Sequence, residues 1–348
     1  VYENTLEAAG ANRVITAGGT IAASGTFSNS DVSMQPGISL TLNGDGGIDL
    51  TTSTHGTALA IKGAGAAGAI NMTTVNGAII LGTVKTTGGA VSLNAGGAAG
   101  NMTVREIVTS PITAGPGGAI TLQSAGTMTL GGGGNIDARG PGGRGDVSLA
   151  SSAGAITLQS GNTVWANHLR MNAVGGITDG AAGAMTIDLT GSVNAGNTGS
   201  GNIRLNHAGT SGITVDDLSL VGYGIRNTAT GGVVSLESQS LVTVQSKIQA
   251  NASDIELIAD KMAINAQLDS GGVAAGTVTL KPSSNPARAI ALGAVGDATA
   301  NTLELSPAEL AQASTGILKL GSSSHTAGIQ IKDSITMAGA GQVSMINS

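Results

Sequence analysis

The stretch "GDVSLASSAGAITLQSG", residues 145–161, states one five-residue phrase twice: glycine, a small or polar residue, an aliphatic, a polar residue, an aliphatic. The phrase returns along most of the chain. GGIDL (46–50), GAINM (68–72), GAIIL (77–81), GAVSL (89–93), GNMTV (100–104), GAITL (118–122) and GTMTL (126–130) carry it. So do GDVSL (145–149), GAITL (154–158), GAMTI (183–187), GNIRL (201–205), GVVSL (232–236), GTVTL (276–280) and GQVSM (341–345). Repetition at this density is the mark of a repeat architecture, in which each unit buries its apolar side only against its neighbours. Within the phrase the aliphatics stand two apart, the period of a strand with one buried face. The leading glycine is read as a corner with permissive backbone torsions.

Which repeat architecture follows from what the chain lacks. Its 348 residues include 57 glycines, no cysteine and 1% aromatics, with Tyr2, Phe27, Trp165 and Tyr223 the whole aromatic supply. Ala, Val, Ile, Leu and Met carry nearly all of the 41% apolar fraction, so the core is built from slender side chains. Asn43-Gly44 and Asn76-Gly77 are hairpin signals, but they are too few to force an antiparallel meander. Short strands, a thin core and irregular loops fit an all-β, right-handed parallel β-helix. At roughly 20–28 residues per coil it would make about 13–16 coils, a rod of about 60–75 Å. Residues 1–20 differ in texture and are expected to form an N-terminal cap or assembly arm, with 21–348 a continuous solenoid shaft.

One stretch breaks the pattern. In "LSPAELAQASTG" (305–316), Ser306 suits an N-cap, Pro307 the first helical position and Glu309 the third, and Gly316 a stop. A short helical insertion is predicted over 306–315. The longer phrase "NTLELSPAELAQASTGILKLGSSSHTAGIQI" (301–331), with "GGITDGAAGAMTIDLTGS" (175–192) and the GGAITLQS-type strands, resembles the repeat region of filamentous-haemagglutinin-like exoproteins. These are secreted adhesins of the two-partner secretion class in Gram-negative bacteria. The resemblance implies a β-helical rod, export, and adhesion or fibre formation at the outer cell surface. That family's secretion domain carries an Asn-Pro-rich signature, which "VYENTLEAAGANRVITAGGT" lacks, so the chain is expected to be shaft.

Composition also bears on partners. The formal net charge is −6 and the 15 basic residues are scattered singly, against the clustered Lys and Arg that nucleic acid demands. A mean hydropathy of +0.23 argues against disorder. No run approaches the ~18 apolar residues of a membrane span.

Candidate chemistry is sparse. Asp216-Asp217 is the best local carboxylate pair, but neighbours on a strand face opposite ways and converge only at a corner. His55, His168, His207 and His325 each stand alone, without metal-ligand spacing, and are read as exposed loop or strand residues. Asp45 and Asp49 in "NGDGGIDL" make one imperfect copy of a calcium-roll repeat and are read as a corner turn. "GGGGN" (131–135) lacks the Gly-Lys-Ser/Thr of a phosphate loop. Trp165, beside His168 and Arg170, is a sugar-stacking candidate or a packed strand residue. Arg144-Gly145-Asp146 is a candidate receptor loop. Asp146, however, takes the place of Ala119 and Ala155 in sister copies and is expected to start a strand with its side chain outward.

No catalytic residue, metal or cofactor is therefore expected. The leading expectation is a non-enzymatic structural rod of a secreted adhesin or filament. Its partners would be further copies joined head to tail, or the remainder of a longer adhesin, with a host or bacterial glycan or receptor as a further partner. The alternatives are a polysaccharide-acting β-helix enzyme and a receptor- or glycan-binding module.

Overall fold

The computed structural model describes residues 12–22, 31–36, 38–50, 60–64, 68–111, 114–219, 221–283, 288–294 and 299–347. The chain is a parallel β-helix, as expected. It divides into two compact units, Val1–Val174 with Asp179–Ala181, and Gly175–Thr178 with Ala182–Ser348.

In the first unit the coils pass through three faces, Ile79–Thr86 and Met102–Val108 each running across two of them, and the strands of a face pair in parallel from coil to coil. One face stacks Arg13–Ala17, Leu40–Gly44, Ile70–Thr74, Val91–Ala95, Ile120–Ser124, Val147–Ser151 and Leu169–Ala173 in that order. A second face carries Thr20–Ala22, Gly47–Asp49, Met128–Leu130 and Ile156–Leu158, joined through the first halves of Ile79–Thr86 and Met102–Val108. The third runs from Asp31–Pro36 through Ala60–Ala64 to Ile136–Asp137 and Val164–Ala166. Of the residues expected to form a cap, Arg13–Ala17 is already a strand of the first stack, and residues 1–11 lie outside the described residues.

The second unit repeats the plan. Ile203, Val234, Ile255, Val278, Leu318 and Val343 follow one another in register on its first face. Coil length varies more widely than the sequence reading allowed. It is 21 residues from Ile70 to Val91 and 40 from Val278 to Leu318. A separate three-stranded sheet takes Ala289–Leu292 and Thr302–Leu305 from the long coil and Ile329–Ile331 from the coil after it, with Ala289–Leu292 in the middle. The long coil also holds the helix, which is shorter than predicted. Only Pro307–Leu310 is helical, opened by the expected Ser306–Glu309 capping box and closed at Ala311. Gly316 is no helix stop. It lies inside the strand Ala313–Gly321, because residues from Ala313 onward gain parallel partners on neighbouring coils.

Every copy of the phrase lies on a strand, and in thirteen of the fourteen both aliphatics are at most 3% exposed. They form continuous interior columns, such as Leu42, Met72, Leu93, Leu122, Leu149 and Met171. Each fully buried aliphatic contributes about 1.5–3 kcal/mol, which is how a core of slender side chains sustains a long fold.

The leading glycines serve two purposes. The leading glycines Gly118 and Gly145 do not have positive φ. A Cβ on Gly145 would lie 2.5 Å from the Gly117 carbonyl oxygen and 2.6 Å from that of Gly118, one coil back. Gly118 and Gly145 are needed because stacked backbones touch there, whereas Gly201 and Gly276, with φ of 84° and 66°, use the permissive torsions expected of the phrase's glycine.

Candidate functional site

The residue after that glycine has its own task. When it is Asn or Asp, its side-chain oxygen accepts the backbone N–H of the equivalent residue one coil on. Asn101 holds Thr127 N at 2.9 Å, Asp146 holds His168 N at 3.1 Å and Asn202 holds Val233 N at 2.9 Å. Asn135 and Asp254, at equivalent pre-strand positions, hold Thr163 N and Thr277 N. Asp146 of the Arg144-Gly145-Asp146 candidate is thus one member of a series of coil clips, exposed at a strand start as expected, and it also accepts Asn167 Nδ2 at 3.2 Å. Arg144 sits in a two-residue antiparallel ladder, Gly143–Arg144 against Arg139–Gly140. Gly145 and Asp146 thus contribute to the stacking of coils, and Arg144 to a local ladder within its own coil.

The other candidates are likewise placed by local bonds. Asp216 Oδ1 accepts Ser246 Oγ at 2.9 Å and Asp217 N at 2.8 Å. Asp217 accepts Ser219 N at 2.7 Å and Gly222 N at 2.5 Å, folding its own loop. Trp165 is covered on a ring face by the Arg139 guanidinium, 3.7 Å from the ring centroid, and Arg139 is itself held by Asp137 at 2.7 Å. Asp45 forms a corner, its N–H donating to Ala17 O and its carbonyl accepting Asn76 N. His55 lies outside the described residues. Among the described residues no group of three or more His, Cys, Asp or Glu is placed to hold a metal ion, and no helix is long and apolar enough to cross a membrane.

Two histidines depart from the expectation of exposure. His207 is 1% exposed, its Nδ1 3.3 Å from Ser238 Oγ and its Nε2 3.3 Å from the Leu189 carbonyl. Ser238 is fully buried and also accepts Ser240 N, so this Ser–His contact braces a corner instead of offering a nucleophile. His325 is 2% exposed, and burial pushes its imidazole below the usual 6.5.

His325 also lines a cleft of the second unit, a volume of about 290 Å³ shared with Glu237, Ile258, Lys281, Ser283 and Ser322. Parallel register puts Glu237, Ile258 and Lys281 at one outward position on three successive coils. Lys281 Nζ pairs with Glu256 Oε1 at 2.5 Å, and Ser283 Oγ donates to Glu237 Oε1 at 3.0 Å. Behind them Arg288 Nη2 meets Asp260 Oδ2 at 3.0 Å, and Ser283 N donates to Asp260 Oδ1 at 3.2 Å. Sequence reading missed this group. Aligning GVVSLE, SDIELI and GTVTLK would have brought it out, but the middle copy lacks the glycine that identifies the others. The first unit has an uncharged counterpart of about 310 Å³, lined by Asn94, Gln123, Ser124, Ser151, Ser152 and Asn172.

Compared with known proteins, the chain matches no family model, no curated protein and no solved structure.

Proposed function

We propose that this chain is a structural segment of a secreted bacterial surface adhesin or extracellular filament, acting as a stacked-coil scaffold without catalytic activity. The observation that carries the reading is the edge formed by Ala340–Ile346. Its Val343 and Met345 pair in register with the fully buried Leu318 and Leu320, yet are 37% and 44% exposed. Interior-column residues left uncovered on an open strand edge accept another coil, from the same polypeptide or from a second copy. A contact between unlike ends that does not close generates a linear assembly. The resemblance of residues 301–331 to filamentous-haemagglutinin-like exoproteins supports the reading of such a scaffold at the outer surface of a Gram-negative cell.

Electron microscopy and sedimentation of the purified chain over a wide concentration range test this. Linear assemblies that lengthen with concentration and shorten in Val343→Glu/Met345→Glu are the expected result. Discrete particles at every concentration would remove self-assembly and leave only continuation within a longer chain. A second reading, a ligand-binding module, is favoured by the cleft at Glu237, Lys281 and His325.

A further inference from the structure

We propose that this cleft binds a single neutral sugar residue of a glycan chain. The inference rests on the second reading above and is independent of assembly through the Ala340–Ile346 edge.

Charge selects the ligand class. Lys281 is matched by Glu256 and Arg288 by Asp260, which leaves Glu237 as a further carboxylate on the wall. An imidazole held neutral by burial adds no positive charge at pH 7. The cleft therefore carries an excess of negative charge, which disfavours phosphate, sulfate and uronate groups.

The lining selects further. Ile258 and Pro282 give apolar surface for the C–H face of a pyranose ring. Around them stand a carboxylate acceptor, an ammonium donor, and the hydroxyls of Ser283, Ser322 and Ser324, each able to donate and accept. Glu237 and Lys281 are two coils apart, about 9–10 Å, which spans a ring with its hydroxyls. A few convergent polar groups over an apolar floor are the usual build of a small-ligand site. A volume of about 290 Å³ lies at the small end of the roughly 300–1,000 Å³ such sites occupy. One sugar fits this description better than a long chain segment does.

Saturation-transfer NMR and calorimetric titration with the methyl glycosides of glucose, galactose, mannose and N-acetylglucosamine test the proposal, with glucuronate, inorganic phosphate and a small primary amine as counter-probes. At least one neutral glycoside is expected to bind with Kd of order 1 mM. Glu237→Gln should weaken it tenfold or more. Ser324→Trp, a substitution at an exposed position on the rim, should block it while leaving the circular dichroism spectrum and melting curve unchanged. The proposal is overturned if no neutral glycoside binds, if binding survives both substitutions, or if a counter-probe binds more tightly. Both variants should sediment like the parent, so failure here is distinct from failure of the assembly reading.

Discussion

Asp146 shows how a residue that reads as a motif can belong to the fabric of the fold. Its carboxylate holds His168 N and Asn167 Nδ2 on the next coil, the same service that Asn101 and Asn202 perform elsewhere. Asp146→Asn keeps the acceptor and should melt like the parent. Asp146→Ala should lose about 0.5–1.5 kcal/mol in urea unfolding, the net worth of a hydrogen bond. Gly145→Ala should cost more, about 1–3 kcal/mol, because its Cβ meets two carbonyls of the coil before it and the stack can only yield by shifting backbone. His325 adds a pH term. Its folded pKa lies below the unfolded 6.5, so the unfolded chain takes up the proton first. That stability is present above pH 6.5 and is lost as pH falls through the folded value. Unfolding free energies from pH 8 to pH 5 should therefore decline, and His325→Gln should flatten the decline in that window.

Among the elements, the strand Ser192–Asn197 is the most unusual, since all six of its residues are buried and two are asparagines. Asn197 accepts Gly176 N at 3.0 Å and donates to Asn227 Oδ1 at 3.0 Å and to Ser200 O at 2.8 Å, so the buried column that runs from Asn197 through Asn227 to Ala250 is polar at its first two positions. Asn227→Ala would remove the acceptor of both Asn197 Nδ2 and the buried Ala229 N–H and should cost about 1–3 kcal/mol by thermal unfolding. The helical turn Pro307–Leu310 is tied down from two sides: Glu309 completes the capping box with Ser306 N at 2.8 Å and also accepts Ile264 N at 3.2 Å. On the strand Leu268–Asp269, burial acts to raise the Asp269 carboxyl. Lys247 at 2.6 Å and the Gly271 N–H outweigh it and hold the group below 3.8. That contribution is full above the unfolded pKa and disappears as acid carries the pH below the folded one.

For the whole molecule the decisive property is that stability accrues coil by coil, each coil stacking on its neighbours. Few charges and a net −6 leave the uncovered apolar positions of Ala340–Ile346 opposed only by weak self-repulsion. Salt screens that repulsion, with a Debye length of about 10 Å at 0.1 M and about 3 Å at 1 M. Assembly followed by sedimentation should therefore strengthen from about 0.1 M to about 1 M salt. A contact made of ion pairs would weaken over the same range.

Much of this was legible in the sequence, because a period-two phrase repeated fourteen times admits few folds. Alternating aliphatics such as Val147 and Leu149 define an inward face, a glycine such as Gly145 marks each corner, and Ser306 with Glu309 announces a helical turn. Those are local properties, carried by residues within a few positions of one another. What sits above what is not local. Coil lengths from 21 to 40 residues decide it, and they depend on how each loop closes. For that reason only the tertiary structure could show Asp146 clipping the next coil and bury His207 against Ser238. The same stacking gathered Glu237, Lys281 and His325 around one cleft.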